Sequence, residues 1–201
     1  MPMRLQEVHP SVVHFPIAFL PVAIGADLLG RLTGSRTLMN FGRAAIGIAA
    51  AGAAAAATTG LIAQQEVNAD GEALDMLITH RNLNLASTVV AAAMATWRGA
   101  RERPTASYLT LGLASTALLS YTAYLGGRMV YQFGVGVQAA DGIAHGHAPA
   151  LTATDASYVA KHAAADLKDA VELTAKEVGA GKLIPAITHR AASAEAPAPR
   201  V

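Results

Sequence analysis

SVVHFPIAFLPVAIGADLLG, residues 11–30, is the stretch on which the fold turns. Ser11, His14 and Asp27 are its only strongly polar side chains, and at 1.5 Å per residue a helix of this length covers about 30 Å, the depth of a bilayer's hydrocarbon layer. Three comparable blocks follow: AAIGIAAAGAAAAATTGLIA at 44–63, a segment opening MLITHRNLNLAS at 76–97, and ASYLTLGLASTALLSYTAYLGGRMV at 106–130. Of the 201 residues 53% are hydrophobic and 14% charged, where a soluble domain carries roughly 25% charged residues. Too little polar surface is left to cover a water-soluble globule, so the expected fold class is all-α: an integral membrane four-helix bundle. The nearly uncharged approach to the first block and the three blocks after it argue against a cleaved signal peptide. Alanine and glycine in the second block allow close backbone approach, which places that helix inside the bundle.

Charge sets the expected topology. Arg31, Arg36 and Arg43 flank the first connection and Arg98, Arg101 and Arg103 the third, against Arg4, Arg81 and Arg128 on the other side, where Glu66, Asp70, Glu72 and Asp75 also lie. An excess of arginine marks the cytoplasmic side. The expectation is a multi-pass protein of a bacterial inner membrane with both termini periplasmic. Residues 1–137 form the four-span domain and 138–156 a linker containing His145 and His147, where only adventitious metal binding is expected. Residues 157–180 form an additional periplasmic amphipathic helix carrying Val159, Ala163, Leu167, Val171 and Val178 at helical spacing. The last stretch, 181–201, has a composition that cannot build a core and is expected to be disordered.

Several function classes are excluded. A formal charge of +1 leaves no basic excess for nucleic acid. The absence of cysteine rules out disulfides, thiolate metal sites and covalent haem attachment through CxxCH. No phosphate-binding loop, nucleophile elbow, HExxH or dinucleotide fingerprint occurs, so nothing points to an enzymatic reaction by this chain alone.

The polar residues inside the spans carry the remaining information, because an ionisable side chain in hydrocarbon is costly without a partner. His14 and His80 each lie about one turn inside the periplasmic end of their spans. Thr58, Thr59 and Gly60 reach the same level from the second span and Gly126 and Gly127 from the fourth, with His9, Arg81 and Arg128 nearby. Two imidazoles facing each other beside bare glycine backbone would suit a b-type haem, with His14 and His80 as axial ligands and His9 as the substitute. Arg81 and Arg128 would pair with its propionates. The same layer could instead hold another metal or a quinone hydrogen-bonded to an imidazole. A plainer reading also stands: His14, ahead of Phe15-Pro16, would bond a carbonyl freed by the proline, and His80 would be a polar residue at a wet interface. Asp27 is expected to pair with Arg31, His162 with Asp166, and His189 with nothing.

The segment HPSVVHFPIA at 9–18, the THR around His80, and GGRMVYQFGVGV at 126–137 resemble a bacterial family of four-span membrane proteins known only as a domain of unknown function. The resemblance covers residues 5 to 137, and its motif positions fall on His9, His14, Pro16, His80, Gly126, Gly127, Tyr131, Gly134 and Gly136. Met129 and Phe133 depart from the end motif, and the tail from Gln138 lies outside it. Members are sometimes joined to, or encoded with, Rieske or cytochrome c modules, which implies membrane electron transfer. The expected function is therefore a membrane electron-transfer subunit exchanging electrons with a periplasmic cytochrome c or Rieske protein. The rival is a non-redox accessory subunit that packs, within the lipid, against other subunits of a membrane or respiratory complex.

Overall fold

The computed structural model describes residues 3–144, 149–152 and 155–189; His145 and His147 and the last residues, 190–201, lie outside them. The main helices are α1 (Val8–Val12), α2 (His14–Thr33), α3 (Arg36–Ala63), α4 (Gly71–Gly99), α5 (Ala106–Phe133) and α6 (Ala156–Gly179). The all-α expectation holds, with no strand among the described residues and only isolated bridges at Arg4–Ala150 and Val67–Ile143. α1 and α2 form one rod interrupted at Val13, where Pro16 offers no N–H to the Val12 carbonyl. Gly34, at φ 72°, ends α2, and Ser35 starts α3 by accepting from the Leu38 N–H. Thr105 caps α5 in the same way, and Gly134 (φ 66°) stops it while the Val135 N–H returns to the Met129 carbonyl at 3.0 Å.

Among the described residues two helices are long and apolar enough to cross a membrane, the rod Leu5–Thr33 and α3. α4 and α5 pack beside them, so that α2 touches α3 and α5, and α4 touches α3 and α5. The N-terminus, the α3–α4 connection and the segment after α5 gather at one end, tied by Leu5 N–H to Pro149 O, Asn68 N–H to Gly142 O and Ala144 N–H to Glu66 O. The other end holds the two short turns and their arginines.

The core at that arginine end is Leu20, Ala23, Ile24, Ala45, Ile46, Ala49, Met94, Tyr108 and Leu109. Within it a charged pair is wholly buried: Arg98 Nε and Nη2 donate to the two oxygens of Asp27 at 2.8 and 2.9 Å. The same guanidinium donates to the carbonyls of Met39 (2.7 Å) and Arg101 (2.6 Å). This corrects the expected Asp27–Arg31 pair. Gly42 explains it: a Cβ there would lie 2.6 Å from the Asp27 carboxylate, so the carboxylate is tucked against bare α3 backbone, and Arg31 donates instead to Pro104 O at 2.7 Å.

α6 lies where a surface helix was expected, packed along α3, with Val159 joining Leu5 and Ile62 in a small cluster. Glu177 reaches Arg81 at 2.7 Å, and the chain then turns back over the start of α4. Asn82 Nδ2 donates to the Lys182 and Leu183 carbonyls, the Ala186 N–H donates to Thr79 Oγ1, and His189 Nδ1 lies 2.6 Å from Asp75. Residues 181–189 are thus ordered rather than disordered, and His189 has a partner, because the polar first turns of α4 supply hydrogen bonds that the tail's own composition does not.

Removing one member of the buried pair should be costly. Asp27→Asn or Arg98→Met is expected to lower stability by about 3–5 kcal/mol, whereas Asp27→Leu combined with Arg98→Met recovers most of the loss. Thermal unfolding in detergent measures it, and single variants that melt with the parent protein would show that the pair holds nothing.

Candidate functional site: a histidine pair in the bundle cavity

At the opposite end of the bundle His9 and His80 lie with ring centroids 6.4 Å apart and ring planes perpendicular. His9 Nδ1 is 3.0 Å from the Ala56 carbonyl oxygen, and His80 Nδ1 is 2.9 Å from that of Thr122. A carbonyl only accepts, so each Nδ1 carries its hydrogen and each neutral ring leaves its lone pair on Nε2. Four residues beyond each acceptor stands a glycine. A Cβ on Gly60 would come within 2.9 Å of His9 Cε1, and one on Gly126 within 3.3 Å of His80 Cε1. Each imidazole therefore lies against a helix stripped of side chain and donates to the carbonyl one turn earlier.

The two rings sit level for a geometric reason. His9 precedes Asp27 by eighteen residues, and His80 precedes Arg98 by eighteen. Over a continuous helix eighteen residues are five turns, about 27 Å, and return a side chain to the same face; α4 is continuous, and the break at Val13 keeps a near-helical backbone (φ −59°, ψ −21°). The two helices run in the same direction, so a pair joined at the arginine end brings the histidines to one height on facing sides.

Between the helices lies a cavity of about 530 Å³, within the range of cofactor and small-ligand sites. Its walls are mostly apolar, and its space comes from α3, where Ala49, Ala53, Ala56, Ala57 and Gly60 are too short to fill the centre. Both histidines line it, with Gly60, Gly126 and Gly127. Three lining side chains hold buried atoms without a partner: Gln6 Oε1, Gln64 Nε2 and Ser87 Oγ. Orphaned polar atoms are rare in a protein interior, and three on one cavity wall suit a ligand with polar edges.

Other expected site residues lie elsewhere. His14 is exposed and does not line the cavity. The buried face of α2 runs through Pro16, Leu20, Ala23, Ile24 and Asp27, and a position two residues before Pro16 is turned about 200° from it. Arg81 lines the cavity, but its donors are occupied by Glu177 (2.7 Å), Gln64 (3.2 Å) and Asn82 (3.1 Å). Arg128 lies outside the cavity, bonded to Gln132 at 2.6 Å and Glu72 at 3.4 Å. His162 does meet Asp166, at 3.5 Å, but is closer to Glu66, at 2.8 Å.

A family model described as "Predicted membrane protein (DUF2231)" matches residues 6–139, nearly the span over which the motifs were read. The chain belongs to this family. No curated protein and no solved structure matches it. The DUF2231 match covers α1 to α5 and the cavity they enclose, and ends before α6. The chain is a membrane protein whose family portion contains the histidine pair, with the tail helix added to it.

The glycines give a direct test of the packing. Gly60→Ala should displace the His9 ring from the Ala56 carbonyl and cost about 1–3 kcal/mol through overpacking. Gly127→Ala, whose Cβ would meet nothing within 4 Å, should be neutral or slightly stabilising. Equal thermal midpoints for the two variants would refute the contact.

Proposed function

We propose that His9 and His80 are the axial ligands of a b-type haem held in the bundle cavity, and that the chain is an electron-transfer subunit of the membrane. One observation carries this reading: two imidazoles from different helices, each fixed by an Nδ1–H bond to a helix carbonyl, line one apolar cavity from facing sides. Ligating histidines commonly donate their second N–H in this way, which fixes the tautomer and aims the ring. His9 thus takes the role expected of His14.

When bound, the haem would supply one-electron chemistry. The chain's own groups do the rest. Gly60 and Gly126 make room for the two imidazoles, Gly127 leaves open backbone beside them, the alanines of α3 keep the space clear, and the apolar walls exclude water. Gln64 Nε2, whose own Oε1 accepts from Arg81, is a free donor for an acidic edge.

The membrane arrangement belongs to the same proposal. α4 and α5 expose Val89, Leu113, Tyr124 and Val130, as do α2 and α3 with Phe15, Val22, Leu29, Phe41 and Ile48, which supports four spans in contact with lipid. The arginines at the far end support a cytoplasmic location there, which puts both termini and the histidine pair on the periplasmic side, within reach of a soluble redox protein such as a cytochrome c or Rieske module.

A visible spectrum of the protein purified in detergent tests the proposal. A Soret band that shifts on dithionite is expected, lost in both His9→Ala and His80→Ala and retained in His14→Ala. A folded but colourless protein from haem-replete cells sinks the proposal and leaves the accessory-subunit reading. Orientation is read separately: a reporter fused after Val201 should be active in the periplasm, and activity confined to the cytoplasm would invert the topology.

A further inference from the structure

Outside the bundle, a second cluster of ligating side chains joins the α3–α4 connection to the tail. Glu66, wholly buried, directs Oε1 to His162 Nε2 at 2.8 Å, and Asp166, one turn further along α6, brings Oδ2 to 3.5 Å from the same nitrogen. One ligand atom from each of the three lies within 4.8 Å of the others. Glu66 Oε2 and Asp166 Oδ2 are both buried, and beyond their closeness to each other and to His162 neither has a hydrogen-bond partner. Two carboxylates brought together out of water need a positive charge between them, and one imidazole shared by both does not satisfy the remaining oxygens.

We propose that Glu66, His162 and Asp166 bind a divalent transition cation of the zinc class, which latches α6 onto the α3–α4 connection. A mixed set of one imidazole nitrogen and two carboxylate oxygens suits Zn²⁺ better than the all-oxygen cations. The spacing fits: ligands about 2.0–2.1 Å from a tetrahedral ion lie roughly 3.3 Å from one another, so the cluster needs only side-chain adjustment to close on one. The latch joins residues 96 apart in the chain, and its partner is the Arg81–Glu177 ion pair at the other end of α6. Cation binding therefore governs whether the tail stays docked beside the end of the bundle that holds the histidine pair. This site does not depend on the haem reading, since it shares no residue with the cavity.

The test uses the full chain in detergent, stripped with a chelator and titrated with Zn²⁺ alone. One equivalent should bind in the micromolar range or tighter, and hydrogen exchange across α6 should slow. His162→Ala and Asp166→Asn should each lose that equivalent with the bundle still folded. His9→Ala with His80→Ala, and His145→Ala with His147→Ala, should keep it, which separates this site from the cavity and from the linker histidines. Uptake that survives His162→Ala overturns the proposal, as does a chelated protein whose α6 is already fully protected and gains nothing from zinc, since a proton shared by the two carboxylates would then suffice.

Discussion

The buried Asp27–Arg98 pair sets the register on which the rest of the structure depends. A charge taken out of water tolerates little displacement, because every lost hydrogen bond exposes an uncompensated ion. Arg98 uses its guanidinium on the carboxylate of α2, the Met39 carbonyl of α3 and the Arg101 carbonyl beyond its own helix, so three helices are fixed against one another at a single point. From that point, two parallel helices rise through the same five turns to His9 and His80. A slip of one residue in either helix would rotate one ring about 100° away from the other. The histidine pair is thus a consequence of the ion pair 27 Å or so below it.

The second determinant is the poverty of α3 in side-chain volume. Alanine and glycine serve opposite purposes along its length. Near the arginine end Gly42 lets the Asp27 carboxylate enter, and further along Gly52 admits Phe15 and Pro16, so α2 and α3 pack closely. Towards the histidine end the same small residues face the centre with nothing large opposite, and the cavity opens. A chain that needed only a stable bundle would fill such a space with leucine, since an unfilled apolar void forfeits dispersion contacts all along its lining. The cavity and its orphaned Gln6, Gln64 and Ser87 atoms are therefore a cost that packing alone does not explain.

Much of this was legible in the letters, and the rest failed for identifiable reasons. Helix positions and ends were readable because apolar runs, Ser35, Thr105 and Gly134 act locally. Partner choice was not. Asp27 was assigned to Arg31 by the i,i+4 rule, yet the winning donor is 71 residues away and reaches it only because Gly42 has no side chain. Depth along the span points to His14 but does not fix the face of the helix: His14 is exposed, and His9, in line with Asp27, lines the cavity. The repeated eighteen-residue spacing was the available signal: a histidine five turns above an acid on one helix, and a histidine five turns above its counter-ion on another. The ordering of residues 181–189 had no such signal, since it rests on Asp75, Thr79 and Asn82, a hundred residues earlier.

The tail and the cavity share one turn of α4. His80 and Arg81 are consecutive, so the helix that aims an imidazole at Thr122 O also commits the next side chain to Glu177 of α6 and to Gln64, just beyond α3. Arg81 is almost fully buried and would be an unpaired charge if α6 moved away, unless Gln64 or a ligand in the cavity replaced the lost carboxylate. Undocking of the tail is therefore opposed by electrostatics at the cavity wall itself. Any process that loosens α6 changes the charge at the wall of the cavity between the two histidines, and the coupling runs through a single peptide unit rather than through the length of the bundle.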